Sequence, residues 1–246
     1  MIYDNLLGEF IGTMVLIVFG GGVCACNTLA KSKGQGGGWI CITTAWGFAV
    51  MLGVFTATTL GAPQGDLNPA VTLGKTMIGI YSVPQFIMTS IVQILGGCLG
   101  AAIVWLAYLP HWAETEDKAS KLGIFCTAPA IRNYPANFLC EFIASFFLMF
   151  VIWMIFSPAV GKIPAGLGPY IVGVLIWALG MSLGGPTGYA MNPARDLGPR
   201  LAHAILPIAG KGGSELGVRL GSCHRSDGWC LCRLRRRCGT ARILIS

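Results

Sequence analysis

The chain has 246 residues, 54% of them hydrophobic and only 11% charged, with a formal net charge of +7 at pH 7. Soluble domains carry about 25% charged residues, so this composition excludes a soluble globular domain and points to an integral membrane protein. The positive charge is not spread over a surface that would draw an anionic partner, because eight of the seventeen basic residues lie from Lys211 onward.

Residues 6–29 form the first apolar run, longer than the ~20 residues that cross a bilayer. No basic region precedes it, so it reads as a span and not as a cleavable signal. Gly8 and Gly12 lie four apart, as close helix crossing requires, and the one acid, Glu9, sits near the start. A polar loop over 31–38 leads to a second span over 39–60. Within residues 61–80, interrupted by Lys75, the apolar part that follows residue 68 is too short to be a further crossing, so the segment reads as a half-helix that dips into the membrane. The third span covers 83–108 and carries Gly96, Gly97 and Gly100 on a packing face. Residues 110–136 mix charged and polar types and are expected to be a solvent loop, with 111–137 connecting two repeats. Five of the ten cysteines, Cys24, Cys26, Cys41, Cys98 and Cys140, fall in or beside apolar runs, where a thiol behaves as a small hydrophobe and not as half of a disulfide.

The chain then begins again. Phe138-Leu139-Cys140-Glu141-Phe142-Ile143-Ala144 echoes Leu6-Leu7-Gly8-Glu9-Phe10-Ile11-Gly12, at the head of a fourth span reaching 156. A fifth span over 169–183 leads through a Gly-rich turn into a second short apolar segment ending near 207. Each copy therefore runs span, span, half-helix, and three spans separate the two starts. An odd number inverts the second repeat, so the half-helices enter from opposite faces and their starts meet.

Both starts carry the same tripeptide, Asn68-Pro69-Ala70 and Asn192-Pro193-Ala194. Asn is a preferred N-cap, and Pro at the first helical position sacrifices no hydrogen bond. A helix start holds about +0.5 of a charge from its aligned peptide dipoles. Two of them at mid-membrane offer amide groups to a passing hydroxyl and a repulsive potential to a passing cation. Glu9 and Glu141 fit by position alone an interfacial acid, yet the unwound backbone before each tripeptide leaves N–H donors in need of acceptors.

The doubled Asn-Pro-Ala, the second followed by Arg195-Asp196, resembles the aquaporin (major intrinsic protein) family and its glycerol-facilitator branch, over residues 6–208. The resemblance implies an all-α membrane protein, an aquaporin-like inverted repeat of three spans plus a re-entrant half-helix each, with the first repeat at 1–110 and the second at 138–211. It implies a passive channel for glycerol and small neutral polyols, with water as a further solute, in a homotetramer of the plasma membrane, most simply a bacterial inner membrane. It implies no catalysis, cofactor, metal or nucleic acid. The same resemblance puts the constriction on Trp46, Gly180, Tyr189 and Arg195, with Gly180 leaving the hole wide. The acceptor ladder falls to the carbonyls of Gly65, Asp66, Leu67, Gly188, Tyr189 and Ala190, and bracing of the loops to Glu9 and Glu141. Asp196 marks the glycerol branch and is expected to tie loops together. Asp66 departs from the family's usual His and is expected to acidify one mouth, with Lys75 able to offset it. A water-selective channel is disfavoured by Gly180 and Asp196, and an ion-coupled transporter by the prior assignment of both glutamates.

No sixth span is visible. Residues 212–246 are basic and rich in Cys, which alone would suggest a metal site or an anionic-lipid anchor. A one-base shift near 213–216 instead turns permitted codons for 218–229 into an apolar segment of the kind that opens a sixth span. The tail is therefore expected to be a frameshift product, with a non-conducting chain as the alternative outcome.

Overall fold

A computed structural model of the chain describes residues 4–216. Among these the fold is entirely helical: α1 (Leu6–Thr28), α2 (Gly38–Thr59), α3 (Pro69–Met77), α4 (Val83–Ala107), α5 (Leu109–Glu114), α6 (Lys118–Phe125), α7 (Tyr134–Ile155), α8 (Leu167–Leu183) and α9 (Pro193–Ile205), with one 3₁₀ turn at Pro158–Val160. Helices α1, α2, α4 and α7 are 22 to 25 residues long and apolar enough to cross a membrane, and α8 is a shorter apolar helix. The order α1–α2–α3–α4 returns as α7–α8–α9, the inverted repeat expected from the sequence, and α3 and α9 are its two half-helices. The compact unit ends at Ser214.

In lipid, apolar side chains gain nothing by leaving solvent, so helices associate by close backbone contact. Small residues supply it here. A Cβ added to Gly96 of α4 would lie 2.2 Å from the Phe10 carbonyl oxygen of α1. Where α2 crosses α8, Gly47 and Gly173 face each other, and a Cβ on either would come within 2.8 Å of the other's carbonyl oxygen. Helix α4 reaches across the repeat to α9 in the same way, a Cβ on Gly97 meeting the Ala194 carbonyl oxygen at 2.7 Å. These crossings fix where both half-helices start. By contrast α7, the counterpart of α1, buries only Ala144 and Leu148 among the described residues.

The expected solvent loop at 110–136 is exposed over much of its length but is not simply a loop. It folds into α5 and α6, and Trp112 and Phe125 are 1% and 2% exposed, with their ring centroids 5.7 Å apart. Phe125 also stands edge-on to His203 of α9 at 5.2 Å. The buried Lys121 donates its ammonium to the Ala209 carbonyl. The charged residues that suggested solvent do other work. Asp117 caps α6 by accepting from the Ala119 and Ser120 N–H groups at 3.0 and 3.3 Å, and the Ser120 hydroxyl, first among these donors, holds its carboxyl below the usual range. Pairing with Lys31 accounts for Glu114. The readings of a frameshifted, metal-binding or lipid-binding tail fall on residues that lie almost wholly outside those described.

Substituting Gly96 with Val should destabilise the α1–α4 crossing by roughly 1–3 kcal/mol or more through overpacking, seen as a lower unfolding midpoint in detergent. Gly123, where an added Cβ meets nothing within 4 Å, is the control. Gly123→Ala should leave the midpoint unchanged or raise it slightly, and equal midpoints for both variants would remove close backbone contact as the packing principle.

Candidate functional site

Each half-helix begins as its tripeptide dictates. Asn68 is in the extended region (φ −155°, ψ 114°) and its Oδ1 accepts from the Ala70 N–H at 2.9 Å, with Pro69 opening the helix. Asn192 (φ −138°, ψ 105°) accepts from the N–H groups of Ala194 and Arg195 at 2.9 and 3.1 Å. The two caps are also joined to each other's loops. Asn68 Nδ2 donates to the Met191 carbonyl at 3.0 Å, and Asn192 Nδ2 donates to the Leu67 carbonyl at 2.7 Å. One N–H of each amide is thus committed to the crossing, and each amide keeps a second N–H for the lumen.

Such a crossing needs the chain to turn sharply just before each Asn. Leu67 and Met191 hold positive φ of 54° and 42°, and Tyr189 one of 39°, conformations costly for residues with a Cβ. What keeps them there is a pair of acids, Glu9 fully buried and Glu141 half-buried. Glu9 accepts from the N–H groups of Asp66 and Leu67, both at 2.7 Å, and Glu141 from those of Ala190 and Met191 at 3.1 and 3.0 Å. Gln93 of α4 adds a third donor to Glu9 at 2.9 Å and a bond to the Thr72 hydroxyl at 3.1 Å. Both glutamates therefore brace the re-entrant loops. Sequence reading missed Gln93, although an amide in the middle of a span of apolar residues was a usable signal.

A cavity of about 510 Å³ runs past both asparagines, with Trp46, Tyr189 and Arg195 in its wall and mostly apolar surface between, including Leu16, Val50 and Ile176. The Arg195 guanidinium lies 4.3 Å from the Trp46 ring centroid, within cation–π range. Among the described residues it meets no hydrogen-bond acceptor, so its forked donors are available to solute oxygens. The six-membered ring of Trp46 also rests on Gly20, where a Cβ would fall 2.4 Å from it, and its Nε1 donates to the Cys24 sulfur at 3.5 Å. Gly20 and Cys24 thus seat the filter tryptophan, and neither was expected.

Three expectations need correction. Gly180 is not in the cavity wall; a Cβ there would meet the Tyr189 ring at 2.8 Å and Thr43 at 3.0 Å, so its bare backbone makes room for Tyr189 and widens the hole only through that ring. The Gly180 carbonyl is occupied by the Trp39 indole N–H at 3.1 Å, and Trp39 stands edge-on to Tyr189 at 5.9 Å. The Leu67 carbonyl already accepts from Asn192 and keeps one lone pair, whereas Gly65, Asp66, Gly188, Tyr189 and Ala190 accept no internal hydrogen bond among the described residues. The Asp66 carboxylate does not acidify the mouth, because its side chain is fully buried and paired with Thr72 and Lys75.

Asp196, also fully buried, ties loops as expected. It accepts from the Thr127 hydroxyl and N–H at 2.6 and 3.3 Å and from Arg200 Nε at 3.0 Å. Arg200 continues to the Thr127 and Ser214 carbonyls, and Lys211 closes the end of α9 by donating to the carbonyls of His203, Ala204 and Leu206. A cation at a helix C-terminus is where the dipole favours it.

The chain matches the family described as major intrinsic protein over residues 1–207. It is 52% identical over 211 residues to glycerol uptake facilitator protein 3 of Lactiplantibacillus plantarum, covering 86% of each chain. The probable glycerol uptake facilitator protein of Thermotoga maritima is 51% identical over 212 residues, covering 85% of this chain and 87% of that one. Among solved structures, the aquaglyceroporin from Plasmodium falciparum superposes with a TM-score of 0.72 at 29% identity, over 80% of this chain and 79% of its own.

Glu9→Gln and Glu141→Gln should each lower the unfolding midpoint in detergent, because the amide nitrogen confronts a buried N–H and leaves it without an acceptor, about 1–3 kcal/mol. Glu9→Gln should cost more, since Gln93 loses its partner too. Equal and negligible shifts would rule out the carboxylates as the braces.

Proposed function

The chain belongs to the major intrinsic protein family, and from that premise we propose that it is a passive channel for glycerol and other small neutral polyols that also passes water. The observation that carries the proposal is a single lumen on which two crossed asparagine caps, a donor-rich arginine and an apolar wall converge. A triol in single file needs donors at fixed points, acceptors along the way and apolar surface for its carbons. Without them its hydroxyls would be desolvated unpaired, at roughly 1–3 kcal/mol each. Arg195, the second N–H of each Asn, and the carbonyls of Gly65, Asp66, Gly188, Tyr189 and Ala190 meet those needs, and Trp46 with the aliphatic wall takes the carbons. The names of the relatives and of the solved neighbour favour glycerol over a water-only pore.

Transport on this reading follows the solute gradient with no chemical step, cofactor or resident metal. The working form is a homotetramer with one pore per subunit, in a bacterial inner membrane with the N-terminus in the cytoplasm. The first repeat, up to residue 110, and the second, from 138 to 211, each supply one half-helix to the lumen.

Proteoliposomes of the chain, shrunk with glycerol in a stopped-flow instrument, should re-swell far faster than protein-free vesicles and should not re-swell after an impermeant sugar. Shrinkage without re-swelling, at raised water permeability, would replace the polyol reading with a water-only one. Gly180→Ala should push the Tyr189 ring towards the lumen and slow glycerol by about tenfold, equivalent to about 1.4 kcal/mol at the constriction, with a smaller effect on water.

A further inference from the structure

At the end of the lumen away from Arg195, the cavity wall holds a second pair of charges, Asp66 and Lys75, near Gln64 and Thr58. Nothing in the filter explains them. The Asp66 side chain is 0% exposed, with Oδ2 accepting from the Thr72 hydroxyl at 3.0 Å and Oδ1 paired with the Lys75 ammonium. Lys75 lies one and a half turns along α3 and is 13% exposed. Of the two charges, only the cation reaches the lumen. An ammonium has three N–H donors, and one is spent on the carboxylate.

We propose that Lys75 is a second specificity-determining residue, a solute-gripping and carboxylate-masking station at the mouth opposite Arg195, held in place by Asp66 as its positioning residue. This rests on reading the chain as a passive channel. The free donors of Lys75 take the hydroxyl oxygens of an incoming neutral solute before it reaches the asparagines. Its charge also masks a carboxylate that would otherwise concentrate small cations at the mouth, where low-dielectric walls focus the field. The Asp66–Lys75 pair is then net neutral, so this mouth draws no cations, and the positive potential is left to Arg195 and the two helix starts.

The test uses Lys75→Met and the double variant Asp66→Asn/Lys75→Met in proteoliposomes, with water and glycerol fluxes measured with and without millimolar guanidinium as the probe cation. Lys75→Met should slow glycerol about three- to tenfold, the loss expected for one hydrogen-bonding station, with water little changed. Guanidinium should inhibit both fluxes in Lys75→Met by about half or more, through the unmasked carboxylate, and should have no effect on wild type or on the double variant. A Lys75→Met protein with wild-type glycerol flux and no guanidinium sensitivity overturns the proposal, as does equal inhibition of the double variant. If Lys75→Met does not fold, the double variant alone decides, since it should show the same slowing of glycerol and a wild-type rate contradicts the station. If wild type passes water but no glycerol, the polyol reading fails, and guanidinium inhibition of water flux still decides for or against Lys75.

Discussion

Two short helices that begin in the middle of a membrane leave their first N–H groups without partners, in a medium where an unpaired donor is expensive. The structure meets this constraint by pointing the two starts at each other across the lumen. Asn68 and Asn192 each cap their own helix and hydrogen-bond the loop of the other. The remaining unpaired donors are left where a solute passes. The defect of a broken helix thereby becomes the conducting surface, and its dipoles set the sign of the field where the two starts meet.

Everything else keeps those two starts in register. Glu9 and Glu141 hold the strained residues Leu67 and Met191 through their N–H groups, so the backbone strain is offset by charge-assisted bonds out of water. Gln93 links the first brace to α4, and α4 in turn lies against α9 through Gly97 and Gly198, so one helix touches the support of one half-helix and the body of the other. Trp46 touches both Gly20 and the Arg195 guanidinium, which couples the filter to the α1–α2 crossing. A shift of any one crossing would move the cavity wall that Trp46, Tyr189 and Arg195 form.

The spans, the half-helices and the caps were legible in the sequence because each rests on a local rule: apolar length, small residues at fixed spacing, and Asn followed by Pro. The repeat made Glu9 and Glu141 legible as a pair, since each lay at the same distance from its own span start. What escaped depends on contacts between distant segments. That Met191 mirrors Leu67 as an acceptor, that Gly180 serves Tyr189 and not the lumen, and that Asp66 is turned away from the mouth are facts of packing. The connecting segment was misread for a related reason: Trp112, Lys121 and Phe125 are buried among exposed charges, and helices of six and eight residues are too short to show a periodicity. Arg200 was hidden by its neighbour Arg195, whose place after the second tripeptide drew the functional reading to itself.

The central claim is that two opposed helix starts and Arg195 let neutral solutes through while repelling cations, protons included. The most direct measurement loads proteoliposomes with a pH-sensitive dye, imposes a potassium diffusion potential, and follows internal pH in vesicles that also re-swell in glycerol. The account predicts glycerol re-swelling well above protein-free vesicles with proton entry no faster than theirs. Proton entry that rises with the amount of protein would contradict it, since a path open to protons cannot be ruled by the positive potential of the meeting helix starts.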